Sequence, residues 1–306
     1  MRVKILGSAA GGGFPQWNCA CPNCRALRAG TFSGKARTQT QVAVMESGDS
    51  WFLLGASPDL RSQIESAAEL HPCNGVRQSP VGGVVLANAD LDHALGLLLL
   101  RELQPLRIYA TASVRRILCD DNTMFRMLQR VPEQAAWSDF RPGEEFTLCD
   151  SKAKECAIHC RPVSLGHHYP AFVPAARESQ LSPAESSVGL FLQSRSGSCL
   201  AYLPAVPRID EALLSQLNDA DVVLFDGTFW SDDELIRIQG SGQTAQQMGH
   251  VPVEQALRKL AALRRPRKIF IHINNTNPML DEAGAQFRQV RDAGWEIAED
   301  GWEFEL

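Results

Sequence analysis

The sequence lacks a long hydrophobic run, and its longest one, near Ala94–Leu100, is far shorter than the ~20 residues of a membrane-spanning helix. The amino-terminal segment also lacks the extended apolar stretch that follows a basic start in a signal peptide. Positive charge is not in excess, because 30 Lys and Arg residues face 35 Asp and Glu residues, for a formal net charge of −5. We therefore expect a cytoplasmic protein with no membrane insertion and no nucleic-acid partner.

The composition that is present is that of an ordinary globular protein. Of the 306 residues, 44% are hydrophobic and 21% are charged, which allows a sizeable core. Predicted strands and helices alternate, but several strands also follow one another directly. This mixture predicts an α+β chain with two sheets flanked by helices. We expect a single domain over residues 1–306, with a surface insertion at about residues 170–187 that is rich in Pro, Ala, Ser and Glu.

Nine cysteines are present, an odd number that excludes complete internal pairing. In a reducing cytoplasm, clustered cysteines bind metal more often than they form disulfides. Cys19, Cys21 and Cys24 have the spacing C-x-C-x2-C in a loop at about residues 17–26, which we expect to turn at Pro22–Asn23. Three thiolates this close favour structural zinc, with a fourth ligand from elsewhere in the chain. The alternative is a set of chance cysteines in a loop.

A second candidate site follows a predicted buried strand at Gly82–Ala87. Asp90, Asp92 and His93 come directly after this strand, where α/β proteins commonly build their sites. A carboxylate beside an imidazole suits Zn, Fe or Mn. The alternative is that Asp90 or Asp92 only caps the predicted helix Leu91–Leu103.

Polar residues also stand at the ends of two later predicted strands. Asp226 follows the apolar run DVVLF, and an ionised carboxylate beside a buried strand calls for a cation partner. His272 lies late in the strand KIFIHI, where a satisfied core histidine is the alternative. His167 or His168 can ligate metal or belong to a polar loop, and His250 can line the site or cap a helix.

Taken in order, these residues resemble the metallo-β-lactamase superfamily, whose signature T-H-x-H-x-D-H is followed by a His, a bridging Asp and a final His. Within it, the segments LGSAAGGGFPQWNCACPNC, NADLDH, VLFDGTFW, MGH and HINNTNP resemble the coenzyme PQQ synthesis protein B family nearly end to end. The resemblance implies a four-layer αββα sandwich. It also implies active-site metal ligands at Asp92, His93 and His272, with Asp226 as the usual bridge. Phosphonate-pathway cyclic phosphodiesterases of the superfamily carry a similar cysteine-rich structural zinc site.

Two departures from the superfamily pattern bear on the chemistry. Asn88 and Asp90 stand where the superfamily has its first two histidines, which weakens one site of a two-metal hydrolase. The remaining two histidines and carboxylates form the ligand set of a non-haem Fe(II) oxygenase. Asp90 is then a further ligand or a base. Relatives with a second His three residues after His272 have Asn275 here, a poor zinc ligand, so the fourth zinc ligand stays open.

The resemblance implies a role in the biosynthesis of pyrroloquinoline quinone (PQQ). We expect an iron-dependent hydroxylase that acts with O₂ on the tyrosine ring of a Glu–Tyr-derived precursor. The expected catalytic residues are Asp90, Asp92, His93 and His272. The expected cofactors are structural zinc and Fe(II) or another divalent metal in the active site.

Two other functions compete with the hydroxylase. One is a carrier that binds PQQ or its precursor and assists transport to the periplasm; Arg37 and the arginines near Arg101 are candidates for its basic pocket. The other is a metal-dependent hydrolase. A homodimer is one of the arrangements open to the protein.

Overall fold

The computed structural model describes residues 1–306 apart from Ser47, Asp49, Asn74, Glu133 and His167. The described chain divides into two compact units, each assembled from separated segments. The first unit comprises Met1–Leu6, Gln41–Ser198 and Gly301–Leu306, and the second comprises Gly7–Thr40 and Cys199–Asp300. The prediction of a single domain stays a prediction.

The strands and helices are short, and they follow one another through the whole chain. The strands are β1 (Arg2–Gly7), β2 (Gln41–Met45), β3 (Trp51–Leu54), β4 (Val81–Val85), β5 (Leu106–Thr111), β6 (Ala135–Phe140), β7 (Phe146–Cys149), β8 (Glu155–Gly166), β9 (Ser187–Gln193), β10 (Cys199–Leu203), β11 (Val222–Asp226), β12 (Arg267–Ile271), β13 (Trp295–Ile297) and β14 (Glu303–Glu305). The helices are α1 (Pro22–Arg28), α2 (Leu60–Glu65), α3 (Leu91–Ala94), α4 (Ala112–Cys119), α5 (Ala175–Glu178), α6 (Glu211–Asn218), α7 (Glu234–Gln239), α8 (Val253–Lys259) and α9 (Ala285–Asp292). In the described residues, no helix combines the length and the apolar character that a bilayer crossing requires.

The first unit contains a sheet with the strand order β14-β1-β2-β3-β4-β5-β6. Strands β3 to β6 run parallel, whereas β1 pairs with β14 and β2 with β3 in the antiparallel sense. Strands β7, β8 and β9 of the same unit also pair antiparallel. Buried side chains such as Leu53, Leu60 and Ile117 form its hydrophobic core. Burial of each such side chain contributes roughly 1.5–3 kcal/mol.

The second unit contains four parallel strands in the order β10-β11-β12-β13. Phe225, Phe270 and Trp295 pack within this sheet, with the rings of Phe270 and Trp295 stacked at 4.2 Å between centroids. The register sets Asp226 beside Ile271 at the carboxyl ends of β11 and β12. Polar residues that follow these two strands are therefore neighbours.

Two predicted helices of the first unit are shorter than expected. The segment predicted as Pro58–Leu70 is α2 followed by a 3₁₀ turn, and the one predicted as Leu91–Leu103 is α3 followed by a 3₁₀ segment at Leu95–Leu100. The cause in the second case is Gly96, whose N–H donates to the Ala56 carbonyl at 2.8 Å instead of continuing the α-helix. A Cβ at this position would lie 2.8 Å from that carbonyl oxygen. Close packing of two backbones here overrides helix propensity.

The segment at residues 170–187 is anchored to the rest of the first unit. It contains α5 and buries Val173 and Leu181 in the core. The Glu185 carboxylate accepts hydrogen bonds from the backbone N–H and hydroxyl of Ser113, at the start of α4. These contacts fix the position of the segment that leads into β9.

Candidate metal centres

The thiols of Cys19, Cys21 and Cys24 converge in the second unit, with the three sulfur atoms within 4.8 Å of one another. Pro22–Asn23 does not form the expected turn; Pro22 is the first residue of α1, and Cys21 is its N-cap. Proline suits this position because the first helical N–H has no partner within the helix. The Cys21 sulfur accepts from the Cys24 N–H at 3.5 Å. The start of α1 therefore fixes the sulfur atoms of Cys21 and Cys24 close to each other.

The pKa values of two of these thiols are shifted in opposite directions. Burial raises the pKa of Cys21 to about 12. Burial also raises the pKa of Cys19, but hydrogen bonds from the Cys21 backbone and from Cys24 and Asn275 hold it below its ordinary value. Three thiolates in one buried cluster repel one another, and a divalent metal removes that repulsion. The soft sulfur donors fit zinc, as the spacing predicts.

A second cluster lies at the carboxyl ends of the parallel strands of the second unit. Asp226 ends β11, and His272 follows β12 directly, with a backbone φ of +59° that is uncommon for a residue other than glycine. Asp226, His250 and His272 each offer a ligand atom, and these atoms lie within 4.8 Å of one another. Strained backbone of this kind concentrates at functional sites. The predicted neighbours Asp226 and His272 are thus together, joined by His250.

The Asp226 carboxylate is fully buried and is held by several donors. Its Oδ2 accepts from the Val206 N–H and from His250 Nδ1, each at 2.8 Å. Burial raises its pKa, but the charges of His250 and His272 and the hydrogen bonds outweigh that effect and lower it below the ordinary value. The carboxylate is therefore ionised at neutral pH and is a ready metal ligand.

Thr228 connects the members of this cluster. Its hydroxyl donates its single proton to Asp226 Oδ1 at 2.6 Å, so we assign Nδ1 of His272, 2.8 Å from the same hydroxyl oxygen, as the donor in the second contact. With Nδ1 protonated in this way, Nε2 of His272 is the ring nitrogen that can bind a metal. The rings of His250 and His272 stack at 5.5 Å. Thr228 is a site residue that the sequence reasoning missed, since its only signal is its place two residues after Asp226.

The remaining predicted ligands, Asp92 and His93, lie on α3 in the first unit. His93 is 2% exposed, and its carbonyl accepts from the Ala56 N–H at 2.7 Å. Asp90 occupies the N-cap position of α3 but makes no capping hydrogen bond, so its side chain is not used as a helix cap. The prediction that Asp92 and His93 share a metal with His272 stays a prediction.

Asp90 has a different partner in the same unit. His168 Nε2 lies 3.6 Å from its carboxylate, and interaction with this carboxylate raises the pKa of His168 although burial lowers it. The side-chain oxygen of Asn88 accepts from the Asp90 N–H at 3.1 Å and supports this turn. His167, the other candidate here, lies outside the described residues.

Arg37 and Arg101, the basic residues proposed for a carrier pocket, belong to different units. Arg37 is 5% exposed, and its guanidinium donates to the Ser8 hydroxyl and to the Ala298 carbonyl. Its guanidinium ties the amino-terminal glycine loop to the chain after β13, and a carrier role for Arg37 stays a prediction. Arg101 is exposed beside Glu102.

Comparisons with known proteins identify the family of this chain. The Beta-lactamase superfamily domain model matches residues 50–273. Coenzyme PQQ synthesis protein B of Methylobacterium sp. (strain 4-46) is 40% identical over 98% of both chains, and that of Nitrosococcus oceani is 38% identical over the full length of both. The chain belongs to the coenzyme PQQ synthesis protein B family. Its metallo-β-lactamase fold and the predicted α+β class are thereby confirmed.

Solved structures agree with this family. The structure of Zn²⁺-bound PqqB from Methylobacterium extorquens is 36% identical, with a TM-score of 0.90 and complete coverage of both chains. A diphosphatase of the PhnP family has a TM-score of 0.68, covers 100% of this chain and 97% of its own, and is 19% identical, so it shares the fold alone.

Proposed function

We propose that this chain acts in PQQ biosynthesis and hydroxylates the tyrosine ring of a Glu–Tyr-derived precursor, with O₂ as co-substrate and Fe(II) as the active-site metal. The printed names of the full-length relatives support the pathway. The precursor and O₂ are the partners in this proposal, and we place the reaction in the cytoplasm. The thiol cluster of Cys19, Cys21 and Cys24 would hold a structural zinc ion, in line with the zinc-bound relative.

The observation that carries the proposal is the buried network of Asp226, Thr228 and His272. It presents an ionised carboxylate and an imidazole whose Nε2 is directed to a metal by the hydrogen bond on Nδ1. With Asp92 and His93 added as the proposed further ligands, the donors are two histidines and carboxylates. This is the ligand set of non-haem Fe(II) oxygenases. Fe(II) bound there would supply the one-electron and O₂ chemistry that side chains lack.

A single active-site ion is favoured over the ion pair of a hydrolase. Asn88 and Asp90 replace the first two histidines of the superfamily pattern. The Asn88 oxygen already accepts from the Asp90 N–H, and the Asp90 carboxylate already faces His168. A two-metal hydrolase needs both ions to generate and place hydroxide. These contacts therefore support one-metal chemistry.

The residues of the chain would supply orientation and proton transfer. Hydroxylation places one oxygen atom of O₂ in a ring C–H bond and releases the other as water, so two electrons and two protons come from a reductant. We assign Asp90 the role of base toward the phenol. His168 would orient the Asp90 carboxylate, and its raised pKa lets the pair keep a proton close to the ring.

The metal dependence of turnover tests the proposal. The full chain, freed of active-site metal, is reconstituted anaerobically with Fe(II) or with Zn(II), and then receives O₂, a tyrosine-containing precursor analogue and ascorbate as the two-electron reductant. We expect a product heavier by one oxygen atom from the iron form alone. His93→Ala should abolish that product, whereas His159→Ala, which changes an exposed histidine on β8, should retain it.

Other outcomes would favour the competing functions. Cleavage of the analogue by the zinc form, without oxygen insertion, would replace the hydroxylase by a hydrolase. Tight binding of PQQ that is indifferent to metal, with no turnover by either form, would replace it by a carrier.

A further inference from the structure

The side chain of Gln41, the first residue of β2, is completely buried, and its amide is bonded at both ends. Its Nε2 atom donates to the Gly55 carbonyl at 2.9 Å and to the Leu54 carbonyl at 3.3 Å, and its Oε1 atom accepts from the Ser57 N–H at 2.8 Å. These partners fix which amide atom is nitrogen, because a carbonyl needs a donor and an N–H needs an acceptor. One amide therefore bridges the turn at residues 55–57, which follows β3.

This 55–57 turn carries the backbone contacts that place α3. The Ala56 N–H donates to the His93 carbonyl at 2.7 Å, and the Gly96 N–H donates to the Ala56 carbonyl at 2.8 Å. Gly55 has a backbone φ of +87°, which favours glycine, and a Cβ atom there would lie 3.5 Å from Nδ1 of His93. The turn therefore lies against the backbone of His93 and passes next to its ring.

Helix α3 has little of its own to fix its position. It has four residues, and the side chain of its N-cap, Asp90, makes no capping hydrogen bond. A helix this short is not stable without tertiary contacts. His93 is buried on this helix, so the orientation of its imidazole depends on the 55–57 turn.

A second buried amide, that of Gln63 on α2, contacts the same turn in a different way. The Ser57 hydroxyl donates to Gln63 Oε1 at 3.0 Å and accepts from the Asp59 N–H at 3.0 Å. Both contacts run to α2 and its first turn, and not to the residues that meet His93. The Ser57 hydroxyl is thus a buried group of the same turn that takes no part in the Gln41 bridge.

We propose that Gln41 is a positioning residue for the active-site metal: its amide fixes the 55–57 turn, and the turn fixes the His93 imidazole as a ligand. The inference rests on the proposed function, in which His93 binds Fe(II). Loss of a group that orients a metal ligand costs roughly 10–100-fold in metal affinity. Gln41→Met keeps an unbranched side chain of similar length but removes the amide, so it should weaken Fe(II) binding by about that factor.

The test uses the full chain with zinc present and Fe(II) added without oxygen. Fe(II) affinity is measured by competition with an Fe(II)-selective chelator. Nitric oxide is then added as an EPR probe, because the rhombicity of its iron signal reports the ligand geometry. We expect folded Gln41→Met to show a lower affinity and a changed rhombicity. Ser57→Ala is the matched control; it loses two buried hydrogen bonds of the turn and should be less stable to urea, with wild-type affinity and a wild-type signal.

Wild-type affinity together with a wild-type EPR signal in folded Gln41→Met would overturn the inference, and so would an equal loss of both in Ser57→Ala. If Gln41→Met does not fold, Gln41→Asn decides in its place, because its amide is one methylene too short to bridge Gly55 and Ser57. Failure of the proposed function has a different signature. In that case His93→Ala would bind Fe(II) as tightly as the wild type and give the same EPR signal.

Discussion

At the scale of single residues, the Thr228 hydroxyl determines which nitrogen of His272 is available. It gives its proton to the Asp226 carboxylate and receives the Nδ1 proton of His272. A metal ligand whose second nitrogen is held in this way has a fixed tautomer and ring orientation. The Thr228 side chain would thus influence a bound metal indirectly, by orienting Asp226 and His272.

We predict that Thr228→Val weakens active-site metal binding roughly 10–100-fold, because valine keeps the shape but cannot hold the His272 tautomer. Metal competition titrations measure the effect. Thr228→Ser keeps the hydroxyl and should bind close to the wild type. If the Thr228→Val and Thr228→Ser variants bind the metal with equal affinity, then the Thr228 hydroxyl does not position His272.

Glu234 is a buried carboxyl group whose pKa is determined mainly by its burial. Burial raises its pKa to about 7, although the Thr276 hydroxyl and the Trp230 N–H donate to its carboxylate. Arg237 lowers this pKa and Asp233 raises it, both by a smaller amount. The folded state therefore holds a proton on Glu234 at a pH where the unfolded chain has lost it.

The predicted consequence is a loss of stability with rising pH. The contribution of Glu234 is fully present below about pH 4.5, the ordinary value, and is lost as the pH rises through about 7. Its size is at most about 3 kcal/mol. Glu234→Gln stays neutral, so urea unfolding between pH 5 and 8 should show a smaller decline than in the wild type. Glu211→Gln, an exposed control, should follow the wild type; equal declines in all three would contradict this origin.

At the scale of elements, the parallel register of β11 and β12 brings Asp226 and His272 together. This neighbourhood could be predicted from the sequence, because two buried apolar strands end in polar residues and parallel strands align their carboxyl ends. The position of His250 could not. It comes from the loop before α8, and that loop is fixed by the Val251 N–H donating to the Val206 carbonyl at 2.6 Å, a contact distant in sequence.

The strands and helices themselves could also be predicted only where the sequence has a clear local pattern. The sequence predicts consecutive strands at Glu145–Leu148, Cys156–Val163, Val188–Gln193 and Cys199–Leu203. Strands β7 to β10 are present at these places, and β8 shows the alternating burial that a period of two produces. Strand β6 was not predicted, since its residues are mostly half-buried and follow no such pattern. Helix α1 was missed because Pro22 was interpreted as part of a turn, while its neighbours place it at a helix start.

Helix α1 should depend on zinc. It has seven residues, and a helix of this length is not stable without tertiary contacts. We predict that a chelator which removes zinc speeds tryptic cleavage after Arg25 and Arg28, because the thiolates then repel one another and release the helix. Cleavage after the exposed Arg208 is the internal control. An unchanged cleavage rate at Arg25 and Arg28 would show that the stability of α1 does not depend on zinc.

At the scale of the whole molecule, the chain sorts its metal ligands by chemistry. Thiolates gather at α1, and carboxylates and imidazoles gather at strand ends. Within the second unit the two groups meet in one short loop, where His272 belongs to one cluster and Asn275 to the other. A structural zinc ion there would also steady the loop that carries His272.

The source of the inserted oxygen tests the central claim most directly. The Fe(II)-loaded chain is given the tyrosine-containing analogue and ascorbate as reductant under ¹⁸O₂ in ordinary water, and in parallel under ordinary O₂ in H₂¹⁸O, and the product is analysed by mass spectrometry. The hydroxylase account predicts one ¹⁸O atom in the product from ¹⁸O₂ and none from labelled water. Label from water alone would contradict it and identify the chain as a hydrolase.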